Sequence, residues 1–269
     1  MRRIAMLVLL AVFAFLSPGA GPAEASKCLA FVEGPARVLP ASIKLAQAAE
    51  TVRIRYVGHS TFRVQTPAGV VIATDYAGYA GPGPVPTVVT MNHAHETHYT
   101  DYPDPAIAHV LRGWNPAGDG PAMHDVLVGD VYIRNVPSDI RRWGSAAVEP
   151  AGNSIFIFEV ADLCIGHLGH LHQTLSPEQR ALIGRLDVVF APVDGSYTLD
   201  IASMIEVLND LKASIVIPMH FFGTSSLQRF LAGMSEAFEI AYAPAEVIEV
   251  SIESLPDRPT VLVPWGILN

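Results

Sequence analysis

The stretch that most constrains this chain is Thr87–Asp101, TVVTMNHAHETHYTD, in which a short β-branched apolar run ends in three histidines. Such a run reads as a buried strand, and Asn-His-Ala-His reads as the loop leaving its end. His93 and His95 stand at i and i+2 of an extended segment and point to the same side. His98 follows after a short turn and can swing back toward them. Neutral imidazole is the commonest protein ligand for zinc and similar metals, so the loop predicts a metal site. The competing reading is three solvated loop histidines, and only partners elsewhere in the chain separate the two. His95-Glu96-Thr97-His98 is one residue too short for HExxH, which excludes the helical zinc-protease arrangement.

Those partners exist. Leu163–Ile165 is a short apolar run ending in Gly166-His167-Leu168-Gly169-His170-Leu171-His172, and Ile215–Pro218 is another ending in Met219-His220-Phe221. Seven histidines at three strand ends are hard to explain by packing alone. Around them the chain is strand-rich in its first half. Val52–Val57, Thr61–Gln65 and Val70–Thr74 form a meander broken at Gly58-His59-Ser60 and Thr66-Pro67-Ala68-Gly69, and Gly78–Pro86 is a linker. Residues 102–125 read as loop and short helix, followed by strands at Val126–Val136 and Ser154–Val160. The second half alternates. Ser176-Pro177-Glu178-Gln179 is a helix start with serine cap, proline and glutamine in place. Asp187–Val193 is a fully apolar strand, Leu199–Leu211 an amphipathic helix, and Ser225–Gln228 a second capping box. Val247–Ile252 and Thr260–Val263 close the chain as strands. The fold class is therefore α/β (α+β), sheets covered by helices, with polar clusters just past the C-terminal strand ends where such sheets place their sites.

The N-terminus carries an address. Arg2 and Arg3 precede an uncharged apolar run, Ile4–Leu16, and Ala23-Glu24-Ala25 offers small residues for cleavage. That pattern predicts a signal peptide over 1–25, too short to persist as a membrane span, and a periplasmic or secreted product. Residues 26–50 read as an arm with a short helix, and 51–269 as one domain. Cleavage removes two arginines and one glutamate, moving the formal charge from −9 to −10. An acidic chain without a basic run has no electrostatic footprint for nucleic acid and gains nothing from anionic membranes, which leaves a small-molecule substrate. Oligomeric state is not legible. Cys28 and Cys164 either form a disulfide, which export permits, or remain two thiols; neither has metal-binding spacing.

Gly58-His59-Ser60-Thr61-Phe62, Thr74-Asp75, His93-Ala-His95-Glu-Thr-His98, His167-Leu-Gly-His170, Pro192-Val-Asp-Gly195 and Ile217-Pro-Met-His220 together resemble the metallo-β-lactamase superfamily, in the branch of the ascorbate-phosphate lactonases. The resemblance covers roughly residues 52–222. It implies a four-layer αββα sandwich with a metal site at one edge, usually binuclear zinc and hydrolytic. It also implies that Asp75 orients a ligand histidine, and that His59 lines the pocket or supports a ligand.

The departures are specific. Thr97 stands at the aspartate position of the family loop, His170 at the bridging aspartate, and residues 135–140 hold no histidine. Two nearby cations repel, and bridging carboxylates offset that repulsion. Without them the chain predicts one metal ion, zinc first and iron or manganese as alternatives. The expected ligands are His98, His170 and His220, joined or exchanged with His93, His95 and Asp139. Glu96, Asp101 or Asp139 is the candidate base or water-orienting group, each against a plain surface role. Three functions compete: a metal-dependent hydrolase of esters, lactones, amides or phosphoesters; a degenerate member that binds metal or a small ligand without turnover; and redox use of an imidazole-held iron or copper.

Overall fold

The computed structural model describes residues 26–29, 50–141 and 147–267. The signal peptide and the helix expected within 26–50 lie outside those residues. Two sheets face each other. The first contains β1 (Val52–Gly58), β2 (Thr61–Gln65), β3 (Val71–Ala73), β4 (Val88–Met91), β5 (His109–Arg112) and, from late in the chain, β13 (Val247–Val250). Its order is β13-β1-β2-β3-β4-β5. The second contains β6 (Asp125–Val128), β7 (Val131–Arg141), β8 (Val148–Val160), β9 (Leu163–His167), β10 (Val188–Pro192), β11 (Ile215–Met219), β12 (Glu239–Tyr242) and β14 (Thr260–Val263). Its order is β12-β14-β11-β10-β9-β8-β7-β6.

The inter-sheet core sets Ile54, Phe62, Val64 and Ile72 against Ile133, Phe156, Phe158 and Phe190. Phe62 and Phe190 stack across it at 4.1 Å. β10 and β11 are buried at every position because helices close their other face, which is why they read as unbroken apolar runs. Among the described residues, three helices supply that cover: α1 (Pro177–Ile183), α2 (Ile201–Leu211) and α3 (Thr224–Met234). They bury Ile183, Met204, Leu208, Leu227, Phe230 and Met234 against the second sheet. Over the described residues, the outer face of the first sheet is closed by loops. Tyr76, Ala80 and Ile107 pack on Ala73, Val89 and Met91. No described helix is long and apolar enough to cross a membrane.

Local signals held where they were chemical. Ser176 and Gln179 form the reciprocal capping box. The second box does not form: α3 starts two residues earlier, from Gly223, without a side-chain cap. Val126–Val136 is a hairpin rather than one strand, turning at Gly129-Asp130 where Gly129 supplies φ +59. β5 and β12 fall in stretches without visible periodicity; each is four residues long, too short to show one.

Cys28 and Cys164 are disulfide-bonded across 136 residues of chain. A closed loop of that length removes about 5 kcal/mol of chain entropy from the unfolded state. The strap is also hydrogen-bonded: Glu159 accepts from the Ser26 hydroxyl (2.5 Å), the Lys27 N–H (2.8 Å) and Arg134 Nε (2.8 Å).

Candidate metal centre

One edge of the sandwich gathers the ends of β3, β4, β9, β10 and β11 together with the β1–β2 turn. β3 to β5 run parallel, as do β9 to β11, so their C-terminal ends meet there. His59 comes from the β1–β2 turn, Asp75 from the end of β3, His95 and His98 from the end of β4, His170 from beyond β9, Asp194 from the end of β10 and His220 from the end of β11. His59, Asp75 and His220 hold φ values of +51°, +41° and +51°. A non-glycine residue in that region costs on the order of 1–3 kcal/mol, and such strain concentrates at functional sites. His220 N–H donates to His59 O at 2.9 Å, locking two of these residues to each other.

One nitrogen each from His59, His95, His98 and His220 lies within 4.8 Å of the others. The surrounding groups select which one. Asp75 Oδ2 takes His98 Nδ1 at 2.6 Å, leaving the lone pair on Nε2. Asp194 Oδ2 lies 3.0 Å from His220 Nδ1, close but not aligned as a hydrogen bond, and turns Nε2 the same way. Thr97 Oγ1 pairs with His95 Nδ1 at 2.8 Å. The Nε2 atoms of His59, His98 and His220 and both ring nitrogens of His170 are buried without a hydrogen-bond partner. Unpaired buried polar atoms are costly, and their convergence marks an incomplete site that fits a cation.

The electrostatics agree. Burial and the neighbouring imidazoles push His59 down to about 3, and burial first, then the neighbouring imidazoles, lowers His98 and His170 well below the ordinary range. Metal ligands must be unprotonated, and these side chains are held so. Burial pushes the Asp75 carboxyl up. Burial would push Asp194 up too, but contact with His220, the Thr198 hydroxyl and backbone N–H groups outweigh it and hold the carboxyl low. Ser196 and Tyr197 N–H donate to Asp194 Oδ1 at 2.8 and 2.6 Å. A carboxylate behind an imidazole whose far nitrogen is buried and unpartnered is the arrangement a bound cation completes.

Asn92 braces the centre from behind. Its Nδ2 donates to Asp75 Oδ1 at 2.8 Å, and its Oδ1 accepts from Ser154 N–H at 2.7 Å, linking the two sheets. A Cβ at Gly113 or Gly169 would collide with Asn92, so both positions require glycine.

The expected residues separate into groups. His95, His98, His170 and His220 come together, and Asp75 supports His98 as expected. His59 joins the clustered nitrogens themselves. His93 does not enter: its Nδ1 pairs with Glu149 Oε1 at 2.5 Å, and its ring stacks on Trp114 at 4.9 Å. Glu96 and Asp101 are solvent-exposed. Asp139 accepts the Ala151 N–H at 3.0 Å. His167 is spent on the backbone, pairing with Ser60 O and Gly169 N–H. Two participants were missed. Asp194 lay in the quoted Pro192–Gly195 turn, and its signal was an acidic residue directly after a buried strand. Phe222, 64% exposed, packs beside His59 and His220 with ring centres 5.5 and 5.4 Å away; nothing in the sequence distinguishes it from Phe221.

Comparison with known proteins identifies the family. The β-lactamase superfamily domain matches residues 53–220, well over half of the chain, and the chain belongs to that family. A UPF0173 metal-dependent hydrolase of Opitutus terrae is 27% identical over 237 residues, covering 74% of this chain and all of that protein. One from Nanoarchaeum equitans is 25% identical over 187 residues, covering 63% of this chain and 84% of that one. The crystal structure of a metallo-β-lactamase superfamily protein from Thermotoga maritima, titled as a candidate Zn-dependent hydrolase, superposes with a TM-score of 0.58 at 25% identity. That match covers 79% of this chain and 97% of the other.

Proposed function

We propose that the protein is an exported metal-dependent hydrolase acting on a small ester, lactone, amide or phosphoester. The observation that carries this reading is the convergence of four imidazole nitrogens within 4.8 Å, several of them buried and unpartnered. His59, His95, His98 and His220 would hold the ion, with His170 beside them. A divalent cation there, zinc in the first instance, supplies Lewis acidity and lowers the pKa of water. The protein's own groups do the rest. Asp75 fixes the ring tautomer of His98, and Asp194 backs Nδ1 of His220 at 3.0 Å. Asn92 holds Asp75 against movement between the sheets. Phe222 lines the site beside His59 and His220. Names of the UPF0173 relatives support hydrolysis. The Cys28–Cys164 bond supports an oxidising compartment, and with it export.

One observation favours the second reading, a family member that binds metal without turnover. None of Glu96, Asp101 and Asp139 faces the histidines as a free base: two are exposed and the third is hydrogen-bonded. Metal-loaded protein assayed on a nitrophenyl ester, a lactone and a phosphodiester decides between them. Hydrolysis abolished by His98→Ala supports the enzyme. Metal bound at full occupancy with no turnover on any of the three supports the binder.

A further inference from the structure

We propose that the outer face of the first sheet carries a second binding site, for a phosphate group, held by Arg53, Arg55 and Arg63 with Gln65 beside them. It stands apart from the histidine edge. β1 and β2 turn Ile54, Phe62 and Val64 into the inter-sheet core, so the alternate residues Arg53, Arg55, Arg63 and Gln65 face the other way. Arg55 precedes His59 by up to about 13 Å of strand. The site is independent of the hydrolase reading, and neither falls with the other.

Strand register carries it. Arg53 pairs with Gln65, and Arg55 with Arg63. Residues directly opposite have Cβ atoms about 4.5–5.5 Å apart, and like charges at that spacing are destabilising. Residues two apart on one strand are separated by about 7 Å. Three guanidinium side chains and one amide therefore rise from the corners of a rectangle of about 5 by 7 Å. They line one cavity of about 210 Å³, walled by Pro82, Gly83 and Pro84. Gly83 takes φ +129, and a Cβ there would lie 2.9 Å from Arg63 Nη2, so glycine lets the loop come down on this guanidinium.

The charge in this cavity is not balanced. Arg63 is 8% exposed and donates Nη1 to Ala80 O at 3.3 Å and Nη2 to Pro84 O at 2.6 Å. Those carbonyls fix its place but carry no charge, and among the described residues no carboxylate pairs with it. A buried charge without a counter-ion is costly. Burial first, then the Arg55 charge, lowers the Arg63 pKa, which is the same cost seen from the proton. Glu249 and Glu246 approach Arg53 and Arg55 only to 3.4 and 3.6 Å, with side chains 62% and 65% exposed. Such surface pairs are weak and yield to a better anion. Three guanidiniums against two carboxylates leave one positive charge uncompensated, in a chain whose formal charge is −9.

Shape and charge then set the ligand class. Guanidinium forks match carboxylates and phosphates. A carboxylate has two oxygens, and one fork satisfies it. A phosphate group brings at least three acceptor oxygens and close to two negative charges, enough to face three guanidiniums and the Gln65 amide together. Arg55 and Pro82 also line an adjoining groove with Tyr79 and Trp265, which are 65% and 48% exposed. A phosphate ester of an aromatic alcohol can lay its ring along that groove, whereas free phosphate fills the arginine cavity alone.

Inorganic phosphate is the probe, and the full chain is first treated with chelator so that phosphate meets no ion at the histidine edge. Calorimetric titration at about pH 8, where phosphate is dianionic, and at constant ionic strength should show one phosphate per chain. Arg55→Gln should weaken binding at least about tenfold, the scale of one charge-assisted hydrogen bond. Arg53→Gln, at a corner 53% exposed, guards against a folding defect and should weaken it in the same direction. Glu246→Gln removes a competing carboxylate and should tighten it. Phosphate should raise the thermal midpoint of the wild type more than that of Arg55→Gln, since a ligand of the folded state stabilises it. Phenyl phosphate binding more tightly than phosphate makes an aromatic ester the source of the group, and equal affinity makes it free phosphate. No bound phosphate, unchanged affinity in both arginine variants, or equal stabilisation by sodium chloride at matched ionic strength overturns the site; in the last case anions merely screen Arg55 from Arg63.

Discussion

Among the described residues, two buried polar clusters are built on opposite terms. Around Arg134 and Glu159, 7% and 8% exposed, every strong group is used. Arg134 gives Nε to Glu159 and its remaining donors to Leu182 O at 2.6 Å and Ile183 O at 2.8 Å. Glu159 takes the Ser26 hydroxyl and the Lys27 and Cys28 N–H groups besides. At the histidine edge the carboxylates of Asp75 and Asp194 are hydrogen-bonded, but the inner ring nitrogens, and Nδ1 of His220, are not. A complete network is scaffold: it ties residues 26–28 and the end of α1 to the second sheet. An incomplete one, held rigid by complete neighbours, is where a ligand belongs.

The harshest way to break the comparison is to make the scaffold incomplete. Glu159→Ala leaves Arg134 buried without its carboxylate. Removing one member of such a pair typically costs about 3–5 kcal/mol. Urea unfolding at neutral pH should show that loss, with metal affinity of the folded protein unchanged. A loss under about 1 kcal/mol would mean that Arg134 relaxes to solvent and the network is not a unit.

Acid should find the other cluster. The folded state holds His59, His98 and His170 neutral below the pH at which an unfolded imidazole protonates, about 6.5. The unfolded chain therefore binds more protons as pH falls, and stability is lost downward from about pH 6.5, toward about pH 3 for His59. The slope approaches about 1.4 kcal/mol per pH unit for each imidazole kept fully neutral, less for the partly exposed His59. Metal-free protein should show this decline in unfolding free energy between pH 6.5 and 5. A flat profile over that range would mean the pocket admits protons or water freely.

Much of this was legible in the sequence. Buried strands declare themselves by unbroken apolar runs, and the histidines fall directly after them, so the site's edge and four of its imidazoles could be read from residues 87–101, 163–172 and 215–220. What failed was long-range pairing. His93 looks identical to His95 in a strand-end loop; its diversion depends on Glu149, which enters β8 56 residues later, and on Trp114. His59 became a member of the cluster because the β1–β2 turn folds over β11, a proximity that no local pattern encodes. Asp139 seemed to restore a missing ligand, but the bulge between β7 and β8 aims it at the Ala151 N–H.

The supporting carboxylates test the boundary between the two kinds of cluster. Asp75→Asn and Asp194→Asn keep shape but can no longer hold the His98 and His220 tautomers as anions. Losing such a partner typically costs 10- to 100-fold in metal affinity, about 1.4–2.8 kcal/mol. Cobalt(II) titration should show that range for both. Unfolding of the metal-free protein should be nearly unchanged or improved for Asp75→Asn, whose carboxyl burial pushes up, and weakened for Asp194→Asn, whose anion takes the Ser196 and Tyr197 N–H groups and the Thr198 hydroxyl. Equal affinities across wild type and both variants would mean that the rings are oriented by packing alone.

The smallest effect is the sharpest. His93 sits at the first histidine of the family loop, so a reading by motif makes His93→Ala as damaging to metal binding as His95→Ala. The geometry says otherwise. The His93 ring is 36% exposed, bonded to Glu149 and stacked on Trp114, and it offers no nitrogen to the cluster. Its loss removes a part-exposed hydrogen bond and one stacking contact, worth about 1 kcal/mol of stability. Cobalt affinity should stay within about twofold, while His95→Ala, which removes one of the converging nitrogens, should lose at least about tenfold. If the two variants lose affinity equally, His93 swings in when metal arrives, and the Glu149 pair is a resting position rather than a fixed part of the loop's support.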